Sequence, residues 1–173
     1  MPVINSGNVL AGQNEYPVYP QWIETYQVDP AYTGGPIPVG TVVKLETIAT
    51  GTITGDGSYT PAYVTPTTTT ATFTMFGVVV GGSTLGSSAA PAAVSGVAIG
   101  AGQIAMVCVH GVCQILFDAN TTTSGHLALQ STTTAGSATD SATATVGKTL
   151  GMVLQTVTIA SGTALVWCRV GLL

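Results

Sequence analysis

The chain has 173 residues and a net charge of −4, and only 6% of its residues are charged, whereas soluble domains average about 25%. Three basic residues are too few to neutralise a nucleic-acid backbone or to hold a protein on an anionic membrane, so the composition excludes both partners. The length is sufficient for one domain with a hydrophobic core of its own.

The few charges are unevenly distributed, since none lies between Gly57 and Phe117. Soluble monomers usually cover themselves with mixed charges, whereas this chain uses Thr, Ser, Gly and Ala. We therefore expect much of its surface to contact other protein. The N-terminal residues lack the basic and apolar parts of a secretory signal, and the charge-free stretch 89–109 contains too much Pro and Gly for a membrane span.

Residues 1–37 differ from the rest of the chain because they hold five of the nine prolines and a cluster of aromatic side chains. Proline at this spacing prevents a long helix. We predict an extended N-terminal arm whose aromatic residues anchor in pockets of a neighbouring subunit, as Trp and Tyr do at interfaces. The alternative is a tail that folds back on its own domain. The predicted anchors are Tyr16, Tyr19, Trp22 and Tyr26.

Residues 38–173 have the pattern of a β domain, with short alternating segments separated by turn residues. Such spacing predicts an all-β fold, a compact β-barrel or β-sandwich of short antiparallel strands. Residues 83–95 and 131–146 are predicted to be loops, and residues 51–72 are predicted to be a long loop or an irregular hairpin. The predicted strands are Thr41–Ile48, Phe73–Val80 closed by Gly81-Gly82, His126–Gln130, and a final pair, Leu150–Ile159 and Thr163–Leu172.

The strongest local signal is a β-hairpin around His110-Gly111, where two apolar segments flank a two-residue turn. Its register would place Cys108 opposite Cys113 on a core-facing surface. The reverse face is also apolar, so we expect both faces to be covered, one of them by another subunit.

The last predicted strand has two distinct faces. Alternation places Val166 and Cys168 on one face, and Leu165, Trp167 and Arg169 on the other. We predict that Trp167 and Arg169 are interface residues.

The sequence offers weak candidates for chemistry. A zinc ion needs four ligands, and five Cys and His residues could in principle converge: Cys108, His110, Cys113, His126 and Cys168. The predicted hairpin disfavours such a site, because it would place both of its thiols on the core face and His110 at its tip. Buried free thiols are the favoured interpretation, with a cross-strand disulfide as the alternative. No nucleophile motif is present, and the segment ending in Gly147-Lys148 has Ala142 where a phosphate-binding loop needs glycine. We predict no catalytic, cofactor-binding or metal-binding residue, and hence no enzyme.

From residue 38 onward the order of several short motifs resembles the bacteriophage head decoration, or capsid cement, proteins. No single motif is diagnostic, and their order carries the resemblance. The motifs are Pro38-Val39-Gly40-Thr41-Val42-Val43, Phe76-Gly77-Val78-Val79-Val80, Val107 to Val112, Ser124-Gly125-His126-Leu127, Gly147-Lys148-Thr149-Leu150-Gly151 and the C-terminal Val166–Leu173.

The resemblance implies a structural protein that binds the outer surface of an assembled phage head and stabilises it. Relatives of this kind often act as trimers. The implied partner is the major capsid protein, and the implied location is the capsid exterior of a virion assembled in the host cytoplasm. The alternatives are another self-assembling subunit (major shell, fibre or surface-array protein) and, more remotely, a Cys- or metal-dependent enzyme.

Overall fold

The computed structural model describes residues 21–46, 63–70, 75–83 and 98–171. These residues form nine strands and no helix, which confirms the predicted all-β fold. The strands are β1 Trp22–Val28, β2 Val42–Leu45, β3 Tyr63–Pro66, β4 Met75–Ser83, β5 Ile104–Phe117, β6 Leu127–Gln130, β7 Ala138–Ser141, β8 Thr149–Val153 and β9 Ala164–Val170.

The first five strands close into a barrel. They pair in the order β1-β3-β2-β4-β5, and β5 returns to β1. All neighbours in this barrel are antiparallel except β1 and β3. Because side chains alternate between the two faces of a strand, every second residue points inward. The barrel core contains Val28, Ile37, Val43, Val64, Val79, Ile99, Ala105 and Val107.

The remaining strands pack against the outside of this barrel and use the second half of β5. Their pairings run β5-β9-β8-β6-β7, and β7 meets β5 again where Ala138 lies opposite Phe117. A second apolar cluster fills the space between this layer and the barrel. It contains Val42, Val78, Cys108, Cys113, Ile115, Phe117, Ala128, Ala138, Leu150, Val153, Ile159, Val166, Cys168 and Val170.

The predicted hairpin at His110-Gly111 is wrong, because β5 continues through it as one strand. The strand changes partners there: its first half pairs with β1 and β4, and its second half forms seven residue pairs with β9. Gly111 has a φ of 119°, a conformation that favours glycine and redirects the strand between its two sets of partners. Each half thus pairs with other strands instead of with the opposite half.

Both faces of the first half of β5 are covered, as predicted, but by the chain itself. Val107 points into the barrel core, whereas Cys108 belongs to the second cluster. The expected second subunit is therefore not needed to bury this half of the strand.

The predicted arm over residues 1–37 is wrong for residues 22–37, which belong to the barrel. β1 pairs with β5 along most of its length and with β3 at its end. Val28 is fully buried, and Ile37 is buried and bridges to Ile99. The Pro and aromatic residues of this segment do not show a clear strand pattern, and the partners of β1 lie far away in the sequence. Tyr16 and Tyr19 lie outside the described residues.

Three loop boundaries also differ from prediction. β7 lies within a segment predicted to be a loop, and β3 lies within the segment predicted to be a long loop or an irregular hairpin. Both strands are short, and their polar residues obscure the alternation. β4 continues through Gly81-Gly82 to Ser83. A Cβ atom at Gly82 would lie 2.6 Å from the Ile104 carbonyl oxygen, so glycine is what allows β4 to continue beside β5.

Candidate interface

The two faces of β9 are as the sequence predicts. Val166 and Cys168 are fully buried, whereas Leu165 and Arg169 are exposed and Trp167 is half-buried. One side of the strand therefore belongs to the core, and the other faces outward. The predicted role of Trp167 and Arg169 at an interface stays a prediction.

Neighbouring strands extend the outward side of β9 into a continuous surface, which we call the β9 face. Residues directly opposite each other in antiparallel strands share a face. Leu116 lies opposite Leu165, and Gln114 lies opposite Trp167. Arg169 has neighbours on both sides, Val112 on β5 and Met152 on β8. Val112 itself is buried. The β9 face is defined as Gln114, Leu116, Met152, Leu165, Trp167 and Arg169.

Gly40 closes one end of the β9 face. It has a φ of 90°, and its carbonyl oxygen accepts a hydrogen bond of 2.8 Å from the Leu116 amide. A Cβ atom there would lie 2.3 Å from Leu165 Cδ2. Glycine therefore lets the segment before β2 pack directly on the Leu116–Leu165 pair.

The other end of the β9 face meets the start of β1. The Gln21 side-chain amide donates a hydrogen bond to the Val112 carbonyl oxygen. The next residue, Trp22, pairs with His110 and is 62% exposed, and Ile23 is also exposed. A large aromatic side chain is thus accessible near the Arg169 end of the face.

Tyr26, another of the predicted anchors, has partners within its own barrel. Its ring packs against the core of its own barrel, and its hydroxyl donates a hydrogen bond to the Glu24 carboxylate. Burial and this hydrogen bond raise the pKa of Tyr26 to about 12. Tyr26 is therefore part of the barrel, and its role as an anchor stays a prediction.

All five acidic residues in the described part of the chain have partners within it. Asp140 lies 2.7 Å from His126 Nδ1 and also accepts a hydrogen bond from the Thr123 amide. The other pairings are Glu24 with Tyr26, Asp29 with the Ala31 amide, Glu46 with Lys44 and Thr65, and Asp118 with Ser131 and Thr133. Charges that are already scarce are mostly used to hold this chain together.

Arg169 contrasts with these acids. Its side chain is exposed on the β9 face, and no acidic group of the described residues lies within the 4 Å of an ion pair. Lys44, by comparison, has its amino group 3.2 Å from a Glu46 oxygen. Arg169 is therefore the charge that the β9 face presents outward.

The three cysteines are buried free thiols, the interpretation favoured from the sequence. Cys113 lies directly opposite Cys168, and Cys108 packs in the same cluster. Burial raises the pKa of Cys168 to about 12. His110 lies on the surface with its Nδ1 3.1 Å from the Gly171 carbonyl oxygen. Across the described ranges, no group of three or more His, Cys, Asp or Glu side chains is arranged to hold a metal ion.

A search of the described part of the chain for a helix long and apolar enough to cross a membrane finds none.

Comparison with known proteins gives limited information. No family model matches the sequence, and no curated protein matches it. A solved structure that resembles the chain is the head fibre gp8.5 N base of bacteriophage phi29. The similarity covers 87% of this chain and 94% of that chain, with 8% sequence identity and a TM-score of 0.45. A likeness of this size assigns neither family nor function to the present chain.

Proposed function

We propose that this chain is a structural protein of a bacteriophage virion that binds the outer surface of an assembled head and stabilises it. Its partner is the major capsid protein, and it acts as a homo-oligomer, a trimer. The virion that carries it is assembled in the host cytoplasm. The chain is not an enzyme. The resemblance to head decoration proteins in the order of the motifs from residue 38 onward motivates the proposal.

The observation that carries the proposal is the character of the surface. The five described acids have internal partners, while Trp22, Ile23 and Leu165 are exposed. Water-facing surfaces are normally rich in unpaired charges, whereas contact surfaces are depleted of charge and enriched in aromatic residues and Arg. The β9 face and Trp22 have the composition of a contact surface.

The mechanism follows from mass action. A protein that binds the assembled shell more tightly than free coat subunits lowers the free energy of the assembled state by the free energy of its binding. A closed barrel suits this role, because it leaves few free strand edges to pair with the wrong partner. No bond needs to be made or broken.

The test starts from empty heads of the virion that carries this chain. The chain is first stripped from the heads, and the purified chain is then mixed with them. We expect the chain to sediment with the heads and to raise the temperature at which the heads disassemble, measured by light scattering. Failure to bind the heads would overturn the proposal. Formation of shells or filaments by the chain alone would instead favour a shell or fibre subunit.

A further inference from the structure

We infer that the β9 face docks on a different protein rather than on a second copy of this chain, and that this partner offers an apolar surface with one carboxylate opposite Arg169. The inference rests on the proposed function and specifies the chemistry of the partner surface.

The first step is the character of the β9 face. Leu116, Met152 and Leu165 are partly or substantially exposed, and Trp167 lies among them. Arg169 carries the single charge of the face as defined above. A surface of this kind gains free energy by removing apolar area from water, so its partner must be largely apolar too.

The second step is the fate of the Arg169 charge. Docking on an apolar surface removes the guanidinium from water, which is costly unless a carboxylate accepts its hydrogen bonds. No described acid lies within 4 Å of it. The planar guanidinium favours two parallel hydrogen bonds to one carboxylate. Charge complementarity therefore requires the partner to contribute an acidic residue at this position.

The third step identifies the source of that acid. In a contact between two copies, the carboxylate would come from this chain, whose described acids already have partners. Asp118 and Asp140 are also buried, with 7% of the Asp118 residue and 8% of the Asp140 side chain exposed. The two other acids in the sequence, Glu15 and Asp56, lie outside the described residues. A different protein is the better source, and these two residues define the control for the alternative.

A contact of this type has a characteristic salt dependence. With one ion pair, binding should fall little as NaCl is raised, because screening acts on charges and not on apolar contact. Sulfate should strengthen binding, since it is excluded from exposed apolar surface.

The experiment titrates the fluorescently labelled full-length chain onto empty heads at about 50 mM and about 500 mM NaCl, where screening differs strongly. Arg169→Gln should weaken binding about tenfold or more, because it leaves the partner carboxylate unpaired. Lys148→Gln is the matched control, since it removes another cation that is not on the β9 face, and it should stay within about twofold. Circular dichroism and thermal melts confirm that each variant is folded.

The outcomes separate the hypotheses. If the wild-type chain does not bind heads, the proposed function fails. If it binds but Arg169→Gln binds equally well, or if the higher NaCl concentration abolishes wild-type binding, the inference fails. The inference also fails if Arg169→Gln dissociates an oligomer of the free chain in sedimentation velocity, because the occupant is then a second copy; the double variant Glu15→Gln/Asp56→Asn tests whether these two acids supply the carboxylate.

Discussion

Cys113 on β5 lies directly opposite Cys168 on β9, in the core that joins the barrel to the second layer of strands. Both residues are almost completely inaccessible to water. A third thiol, that of Cys108, packs in the same cluster. The cysteines thus act as small apolar side chains, and this arrangement predicts how they react.

The thiols of Cys113 and Cys168 should be unreactive in the folded protein. The hydrogen bond with Cys113 lowers the pKa of Cys108, so this thiol is protected by its complete burial alone. The neighbouring Cys108 thiol and burial hold the pKa of Cys113 well above its usual range, and burial raises that of Cys168 to about 12. At pH 8 these groups are neutral, and the thiolate is the reactive form. We expect the native protein to react slowly with 5,5′-dithiobis(2-nitrobenzoate). After denaturation in guanidinium chloride, the three cysteines should release three equivalents of thionitrobenzoate per chain. Rapid native labelling of Cys113 or Cys168, mapped by mass spectrometry, would contradict this packing.

Tyr26 should make stability depend on alkaline pH. Its pKa is raised from 10.0 to about 12 in the folded protein, by burial first and then by the hydrogen bond to Glu24. Because the folded-state value exceeds the unfolded one, the stabilisation is fully present below pH 10.0 and is lost as the pH rises towards 12. When tyrosine ionisation is followed by absorbance at 295 nm, the wild-type chain should show a titration step near pH 12 that the Tyr26→Phe variant lacks. A missing step near pH 10 would disprove the shift.

The Asp118 carboxylate should depend on its hydroxyl partners. One of its oxygens accepts hydrogen bonds from Ser131 and Thr133, and the residue is buried. Ser131→Ala removes a donor to a buried carboxylate and the acceptor of the Thr133 and Thr134 amides, so the free energy of unfolding should fall by about 1.5–3 kcal/mol in urea titrations. Ser161→Ala, in an exposed turn, is the control and should change it by less than about 0.5 kcal/mol. Equal losses in the two variants would refute the role of Ser131.

Two deletions from the N-terminus should affect folding differently, because only the longer one removes β1. Deletion of residues 1–36 removes β1, which pairs with both β3 and β5, so we expect loss of the cooperative thermal transition. Deletion of residues 1–20 retains every described strand, and the chain should stay folded. If Tyr16 and Tyr19 are anchors, this shorter deletion should also weaken binding to heads. A cooperative transition after deletion of residues 1–36 would show that β1 is dispensable for the barrel.

Alternation was informative where one face of a strand meets the core and the other meets water. This is why both sides of β9, including Trp167 and Arg169, could be predicted from the sequence. Both halves of β5 could be predicted as strands, but their continuity could not, because the first half is buried on both faces and His110-Gly111 has the composition of a turn. A hairpin prediction assumes that neighbouring segments pair with each other, whereas the two halves of β5 pair with β1, β4 and β9.

The partners of the acidic residues could not be predicted from the sequence either. The composition shows that charged residues are scarce, but it does not show that the acidic side chains form hydrogen bonds and ion pairs within the chain. Glu46 accepts a hydrogen bond from Thr65 on a neighbouring strand, and Asp140 pairs with His126 across β6 and β7. Such pairs depend on strand register, which a single sequence does not specify when its strands are short and polar.

The most direct test of the central claim, that the exposed neutral surface is built to contact another protein, is a cryo-electron microscopy reconstruction of heads mixed with the chain. We expect density for the chain on the outer surface, with Trp167 and Arg169 against the coat protein and an acidic residue opposite the guanidinium. Heads without bound chain, or bound chain with the β9 face open to solvent, would contradict the claim.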